Sequence, residues 1–328
     1  MPTCFRRLLC LLSTLMVIVT ACTSGPNDEA EAFLSSVPIR HPTPILTPTS
    51  VTPKSSAVEP SSAGRGRATS IPTATDEARS IPTPTVTPAL VFLDPGHGGV
   101  DTGTIGETAD GQQVEEKTIA LAIALRTADY LRKDGITVAM SRTDDSLPGS
   151  TPADYTSDGT ELTPAGVLAD LQRRIDRANA SGAKVLLSIH LNAFADDPSV
   201  GGTQTFYDSS RPFAKQNQQF ASLIQNTLIA NLRAAGYDTP DRGITDDQDL
   251  SAESLSSFGS DYHHLVLLGP PVPGQLRASQ MPGALNEAFF LSDPAEATAV
   301  VQPDMQNLVA RSYCQAIEKF LNRANLGC

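Results

Sequence analysis

The chain has 328 residues, of which 40% are hydrophobic, and its 24 Lys and Arg against 36 Asp and Glu give a formal net charge of −12. This size and composition argue against a collagen-like, coiled-coil or multi-span membrane protein. The acidic balance argues against nucleic acid as a partner, because such binding depends on Lys and Arg that release counterions from phosphates. Eleven of the 25 prolines lie between Pro26 and Pro88, so the chain does not divide into two similar domains.

The first 22 residues have the pattern of an export signal. A short basic start precedes an apolar run over 8–19, and small residues follow up to Cys22. The run is shorter than the ~20 residues of a membrane-spanning helix. The last four residues, Val-Thr-Ala-Cys, resemble the lipobox of bacterial lipoproteins, which implies a signal peptide over 1–21 and a lipidated Cys22 that anchors the chain to a membrane. An ordinary secretory signal is the alternative. Both predict a location outside the cytoplasm, and the lipid anchor predicts the cell envelope.

Residues 22–88 are predicted to form the lipidated cysteine and a disordered tether. Of the 66 residues after Cys22, 32 are Ser, Thr or Pro. Such a segment buries too little apolar surface to offset the entropy lost on folding. At about 3.1 Å per residue the segment reaches at most about 200 Å. This reach suits a target spread through the cell wall, and the alternative is that the segment is only a spacer.

Two cysteines, Cys314 and Cys328, remain once the signal and Cys22 are set aside. In an oxidising compartment they are able to form a disulfide that ties the C-terminal tail to the last helix. The sequence leaves open whether they pair, and their spacing is not that of a metal site.

From residue 89 to 328 the pattern predicts one folded domain. Strands are predicted at 91–93, 136–140, 185–189, 203–207, 265–268 and 284–290, and helices at 116–133, 168–180, 213–235 and 304–321. This alternation predicts an α/β fold with a mixed, mostly parallel sheet that is covered by helices on both faces. The stretches 146–164 and 238–262 are rich in Gly, Ser, Asp and Thr and are interpreted as surface loops.

Polar residues lie in or just after three of the predicted strands. His97 lies in a glycine-rich turn after the first strand, His190 ends the third, and Glu287 lies in the last, while Glu115 and Glu116 open the first helix. Ligands of open α/β sheets collect at the carboxyl ends of strands. Two histidines and one carboxylate that converge on one point would make a zinc site of the catalytic type, with one position open to water. A second carboxylate, Glu287, would then be available for proton transfer.

Each of these residues also has a structural interpretation. A histidine at a strand end often only hydrogen-bonds, Glu116 suits the positive end of a helix dipole, and Glu287 is able to serve as a salt-bridge partner. No compact metal motif such as His-Glu-x-x-His is present. Spacing alone therefore leaves the metal site open.

Several motifs in order resemble a known family. They are Leu93-Asp94-Pro95-Gly96-His97-Gly98-Gly99, Glu116-Lys117 with Leu121, Ser141-Arg142-Thr143-Asp144, Arg174 with Ala178-Asn179, Ser188-Ile189-His190-Leu191-Asn192-Ala193 and Glu287-Ala288-Phe289-Phe290-Leu291-Ser292-Asp293. Together they resemble the zinc-dependent N-acetylmuramoyl-L-alanine amidases of the Amidase_3 type. The resemblance covers the domain from residue 89 onward and none of the tether.

The resemblance implies a peptidoglycan hydrolase that cuts the amide between N-acetylmuramic acid and the first L-alanine of the stem peptide. It implies a sheet of about six strands, a Zn2+ cofactor held by His97, Glu116 and His190, and Glu287 as the catalytic residue. Glu116 is chosen over Glu115 because the glutamate of the family directly precedes a lysine.

Two further residues, Asp94 and Asn192, lie beside proposed ligands and are predicted to orient a histidine from the outer shell. The chain departs from the family at Asn286 and Phe289, where an apolar residue and a glycine are usual. These departures affect the packing around the glutamate more than the reaction.

Two alternatives remain: another wall-directed metallopeptidase, or an inactive module that binds the cell wall. Peptidoglycan and the membrane are the predicted partners, nucleic acid is not, and an activating protein is left open. The stretches 146–164 and 238–282 either control access to the predicted site or are surface loops without a role in function. His263 and His264 are adjacent, so on a strand at most one of them would face the site.

Overall fold

A computed structural model describes residues 90–194, 197–250, 262–323 and 327–328. The predicted signal peptide, the lipidation site at Cys22 and the tether lie outside these described residues. Within them, none of the helices combines the length and the apolar character of a membrane span.

Eight short strands form a six-stranded sheet and a separate hairpin. The strands are β1 (Val91–Pro95), β2 (Ile105–Glu107), β3 (Gln113–Glu115), β4 (Val138–Met140), β5 (Val185–Asn192), β6 (Thr203–Tyr207), β7 (Asp241–Asp246) and β8 (Gly283–Phe290). The sheet order is β4-β1-β5-β8-β6-β7, and β2 pairs with β3. The β8–β6 pair is antiparallel and every other pair in the large sheet is parallel, which confirms the predicted mixed, mostly parallel sheet.

Helices cover both faces of this sheet, as predicted. The five α-helices of the described residues are α1 (Glu116–Lys133), α2 (Pro164–Ser181), α3 (Ala214–Ala234), α4 (Pro294–Val300) and α5 (Pro303–Phe320). Apolar residues of α1, α3 and α5 share one buried cluster with alternate residues of β1 and β5. A second cluster on the other face joins α2 to residues 262–268. The strands are buried on both faces, which explains their continuous apolar runs.

Local signals set the ends of the helices. The Thr163 side chain accepts a hydrogen bond from Gly166 N at the start of α2, and Gly182 ends that helix in the left-handed region with φ 67°. Glu116 lies in the first turn of α1, and Arg132 and Lys133 lie in its last turn, where their charges suit the helix dipole.

The predicted strand at 265–268 is wrong. These residues form a turn in which Leu268 N and Gly269 N both donate to the Leu265 carbonyl, at 2.9 and 2.8 Å. Their side chains are apolar because they pack over the sheet rather than pair with it, and Val266, Leu267 and Leu268 are buried. The interpretation of 238–262 as a surface loop is wrong for its first part, because Asp241–Asp246 forms an edge strand beside β6.

The C-terminal cysteines pair in the structure. Cys314 of α5 and Cys328 form a disulfide with their Cα atoms 5.9 Å apart. It joins the end of the chain to the buried side of the last helix, since Cys314 is fully buried.

Candidate active site

Three neighbouring elements of the fold bring the predicted polar residues together. β1 and β8 flank β5 in the sheet, and their carboxyl ends point the same way. His97 follows β1 by two residues, and His190 lies in β5 in register with Glu287 of β8. Residues in register on neighbouring strands point to the same face, so the imidazole and the carboxyl group meet. Glu116, the first residue of α1, completes the group from above the strand ends.

Glu116 lies at the centre of this group. Its Oε1 is 3.2 Å from His97 Nε2, 2.9 Å from His190 Nδ1 and accepts a hydrogen bond from Leu191 N at 3.0 Å. Its Oε2 accepts from Thr104 N at 2.9 Å. The carboxylate is fully buried. Burial opposes its ionisation, but the charges of the two histidines and the hydrogen bond with His190 hold the pKa of Glu116 below its usual range.

The neighbouring Glu115 is placed differently. Its carboxylate is 42% exposed and lies 3.5 Å from Lys117 Nζ. Lys117 also donates to the Gly99 carbonyl at 2.7 Å and to Asp145 at 2.9 Å, which fixes the glycine-rich turn. The structure therefore brings Glu116 and not Glu115 to the histidines.

The turn that carries His97 has an unusual backbone. His97 has φ 59°, a left-handed conformation that a residue with a side chain adopts at a cost. Its Nδ1 lies 3.0 and 2.9 Å from the two carboxylate oxygens of Asp101. Asp101 Oδ1 also accepts from Gly103 N at 3.1 Å. Asp101 thus fixes the imidazole so that Nε2 points at Glu116.

Two glycines make room for this group. A Cβ atom on Gly96 would lie 2.2 Å from the His190 ring, and one on Gly103 would lie 2.6 Å from both Glu116 Oε2 and the His97 ring. Real Cβ atoms essentially never come so close to other atoms. The close approach therefore requires glycine at both positions.

The buried guanidinium of Arg174 binds the turn that carries His97. Arg174 of α2 donates to Asp94 at 2.9 Å, to Asp170 at 2.6 Å, and to the carbonyls of Pro95 and His97 at 2.9 and 2.6 Å. Its side chain is 5% exposed. The backbone of His97 is thus tied to a helix on the opposite face of the sheet from α1.

A second guanidinium binds this turn at a different place. Arg142 donates to the Pro95 carbonyl at 3.1 Å and to the carbonyls of Gly96 and Lys117 at 2.7 Å each. It therefore links the turn after β1 to the start of α1. Arg142 and Arg174 therefore both bind backbone carbonyls of the segment 95–97.

The two residues predicted to orient a histidine are bonded to other groups. Asp94 accepts from Arg174 and, at 2.7 Å, from Ser188 Oγ. Asn192 Oδ1 accepts from Ala193 N at 2.8 Å. No hydrogen bond joins either of them to a histidine among the described residues. Asp101 makes that contact instead, and its only signal in the sequence is a carboxylate four residues after His97.

Glu287 faces the histidines with a free oxygen. The residue is 1% exposed, and its Oε2 has no hydrogen-bond partner among the described residues. Burial, aided by the negative charge of Glu116, raises the pKa of Glu287 well above its usual range. A buried carboxyl group beside two histidines is placed to accept and return a proton.

The group opens on a cavity of about 270 Å³. His97, His190 and Glu287 contribute to one side of it. The rest is largely apolar and includes Leu162, Val167, Leu171, Phe206, Leu250, Leu265, Val266, Leu267 and Leu285. The interpretation of 238–262 as a surface loop is thus wrong for Leu250 too, and residues 265–267 of the longer stretch form a wall of the cavity.

A family model described as N-acetylmuramoyl-L-alanine amidase, Amidase_3, matches residues 91–319. The chain belongs to the Amidase_3 family. This confirms the resemblance seen in the motifs, and the match runs from β1 to the end of α5.

Individual Amidase_3 relatives agree. The germination-specific N-acetylmuramoyl-L-alanine amidase of Bacillus subtilis is 30% identical over 231 residues, which are 70% of this chain and 79% of that protein. The crystal structure of an N-acetylmuramoyl-L-alanine amidase from Clostridium difficile 630 has 29% identity and a TM-score of 0.50, and the match covers 73% of this chain and 100% of that one. The CwlD amidase of Clostridioides difficile, solved in complex with the GerS lipoprotein, has 26% identity and a TM-score of 0.52, with 71% and 98% covered. The predicted enzyme class, a peptidoglycan amidase, is therefore confirmed.

The departures from the Amidase_3 pattern pack away from the glutamate. Asn286 donates to the Gln204 carbonyl at 3.1 Å and accepts from the Tyr313 hydroxyl at 2.5 Å. Phe289 meets Tyr237 edge to face with ring centroids 5.6 Å apart. Because side chains alternate along a strand, Asn286 lies on the opposite face of β8 from Glu287. A register shift in the β5–β8 pair interrupts this alternation after Glu287, and Phe289 packs in the buried cluster of α1, α3 and α5.

Proposed function

We propose that this amidase hydrolyses the muramoyl-L-alanine amide with a zinc ion held by His97, Glu116 and His190. The observation that carries the proposal is the convergence of these three donors beside the buried carboxyl group of Glu287. Their ligand atoms all lie within 4.8 Å of one another.

The donor set suits zinc. Imidazole nitrogens and a carboxylate oxygen are its usual protein ligands, and three of them leave a position open in a catalytic site. His97 Nε2 is buried and lacks a hydrogen-bond partner among the described residues, so it is free to coordinate an ion. When bound, zinc supplies Lewis acidity, which lowers the pKa of water and polarises a carbonyl oxygen. Asp101 holds the other nitrogen of His97, as outer-shell carboxylates do at zinc sites.

Glu287 is proposed to move the proton in both halves of the reaction. It accepts a proton from the water that attacks the lactyl carbonyl carbon. It then donates this proton to the amide nitrogen as the bond to L-alanine breaks, which releases a neutral amine. Because Glu287 is buried and its Oε2 makes no hydrogen bond among the described residues, this oxygen is free to bind and release that proton.

The chain is also proposed to act outside the cytoplasm as a lipoprotein anchored through Cys22. The support is the apolar run that ends in a lipobox-like sequence, together with the 66-residue tether before the catalytic domain. An enzyme that acts on peptidoglycan has its substrate on that side of the membrane.

The test combines products and metal content. The purified mature chain is incubated with peptidoglycan after chelation, with and without added zinc, and the products are identified by mass spectrometry. We expect stem peptides that begin with L-alanine only when zinc is present. Glu287→Gln should keep the zinc and lose on the order of 10²–10⁴-fold in turnover. His97→Ala should lose both zinc and turnover.

Glu115→Gln is the matched control, because Glu115 adjoins a proposed ligand but contacts Lys117 instead. It should keep zinc and activity. Normal turnover by zinc-loaded Glu287→Gln would contradict the proposed proton transfer. Cleavage elsewhere in the stem peptide would contradict the proposed bond.

A further inference from the structure

Three titratable side chains outside the site described above converge at the other end of the sheet. Asp208 directly follows β6 and Asp247 directly follows β7. These strands are parallel neighbours with Tyr207 and Asp246 in register, so the two carboxylates leave the same sheet edge side by side. His264 reaches them from the segment 262–269.

The three side chains lie at ligand distances from one another. His264 Nδ1 is 2.9 Å from Asp208 Oδ2 and 3.2 Å from Asp247 Oδ1. The ligand atoms all lie within 4.8 Å of one another. In a tetrahedral site with bonds of about 2.0–2.1 Å, ligand atoms lie about 3.3 Å apart. The spacing is therefore similar to that at His97, Glu116 and His190.

The hydrogen bonds within the cluster leave one carboxylate oxygen unsatisfied. Both carboxylate side chains are fully buried. His264 Nδ1 has at most one proton, which it is able to donate to only one of them. Asp208 Oδ2 is buried and makes no hydrogen bond in the part of the chain that the structure describes, although it lies 2.9 Å from His264 Nδ1. A buried carboxylate oxygen without a donor is costly unless it is paired or coordinates a metal.

The nearby cation does not fill this gap. Arg211 is close enough to interact electrostatically with Asp208 and Asp247. Its guanidinium nevertheless donates to the carbonyls of Leu268, Gly269 and Ser279, at 2.6–3.0 Å, and to neither carboxylate. A divalent cation at the three side chains would neutralise the two carboxylates and leave His264 neutral.

We propose that Asp208, Asp247 and His264 form a second metal site, which takes a divalent transition-metal ion such as zinc. One imidazole nitrogen and two carboxylate oxygens suit such an ion. The site shares no residue with the zinc site proposed above and does not depend on it.

This second metal site would fix a wall of the substrate cavity. Leu265 N donates to Asp247 Oδ2 at 2.9 Å, directly beside His264. Leu265, Val266 and Leu267 line the cavity next to Glu287. A metal bound through His264 thus ties these three residues to the ends of β6 and β7. Its role is to position the wall, while the reaction takes place at the other site.

The test counts zinc ions bound to the purified mature chain after chelation and dialysis against zinc. The wild type should bind two equivalents, and Asp247→Asn and His97→Ala should bind one each. The double variant should bind none. Asp246→Asn is the matched control, because Asp246 is the adjacent carboxylate and caps Gln248 N rather than facing His264. It should bind two.

Hydrogen exchange supplies the second readout. In the His97→Ala variant, only the second site is able to load, and zinc should slow exchange of the Leu265 amide. If circular dichroism shows that Asp247→Asn is unfolded, Asp208→Asn takes its place. An unchanged zinc count in the folded Asp247 or Asp208 variant overturns the second site. Failure of the first site alone would instead leave one equivalent in wild type and His97→Ala and none in Asp247→Asn.

Discussion

Single side chains buried beneath the active site decide its shape. Arg174 is nearly inaccessible and its guanidinium binds two carboxylates and two backbone carbonyls, one of them that of His97. A buried ion pair of this kind adds little net stability over an apolar group, yet removal of one partner leaves an uncompensated charge. Asp94 and Asp170 would both lose their partner at once.

Arg174→Met should lower the free energy of unfolding by about 3–5 kcal/mol, because two carboxylates are left buried without a cation. Arg277→Met is the control. Arg277 also binds a carboxylate, that of Asp176, but its side chain is 69% exposed, and water screens the pair. Urea unfolding followed by circular dichroism measures both. Equal losses of unfolding free energy in the two variants would contradict the prediction that the buried ion pairs of Arg174 contribute more than the exposed pair of Arg277.

At the scale of elements, the turn between β1 and β2 is the least regular part of the site. His97, Gly98, Gly99 and Gly103 all have positive φ angles. The turn reverses the direction of the chain so that His97 and the start of α1 meet. A regular strand or helix does not reverse direction in this way. Strain of this kind is held in place by the contacts of Arg142, Arg174 and Lys117 with the carbonyls of the turn.

Gly103→Ala should abolish or greatly weaken zinc binding and amide cleavage, because the new Cβ would meet Glu116 and His97 at 2.6 Å. Gly135→Ala separates this clash from backbone strain. Gly135 has φ 71°, close to the 62° of Gly103, and nothing lies within 4 Å of its Cβ position. Both variants should lose about 1–2 kcal/mol of stability from the left-handed backbone. Zinc titration and product analysis should distinguish them, and equal zinc affinities would count against the proposed ligand set.

At the scale of the whole molecule, the proposed anchor and tether determine where the protein is located, and the catalytic domain carries out the reaction. The catalytic domain contains every residue proposed for the reaction. The first 88 residues contain none, and their composition suits export, attachment and reach. Location and activity should therefore be separable by mutation.

Cys22→Ala should move the chain from the membrane fraction to the soluble extracytoplasmic fraction of a bacterial host, because no thiol remains to carry lipid. The catalytic domain is unchanged, so the released chain should cleave isolated peptidoglycan at the wild-type rate. Cell fractionation with immunoblotting, and mass spectrometry of the mature N-terminus, measure the change. A wild-type chain without lipid at Cys22 would contradict the anchor.

The sequence by itself determined the elements whose signals are local. The helix at 116–133 and the strand at 203–207 have the predicted bounds, since periodic apolar residues and charged helix ends lie within the element itself. The predicted single α/β domain is confirmed for the same reason. The hairpin of β2 and β3, strand β7 and helix α4 were missed because they are short and depend on their neighbours.

The sequence also placed His97, Glu116, His190 and Glu287 at the ends of strands and a helix, and the structure brings them together. Their roles as ligands and proton carrier remain predictions. Only the tertiary structure decided which residues surround them. Asp101 rather than Asp94 contacts His97, and the apolar run at 265–268 forms a wall of the cavity rather than a strand. An apolar run in the sequence predicts that its side chains are buried, but it does not predict which part of the protein they pack against.

The second metal site is the extreme case, because Asp208, Asp247 and His264 lie in separate segments, and only the adjacent pair of His263 and His264 stands out in the sequence. They meet because β6 and β7 are parallel and their ends coincide. Local interactions set the elements of this protein, and they are readable in the sequence. Contacts between distant residues depend on the packing of the sheet, and only the folded chain defines them.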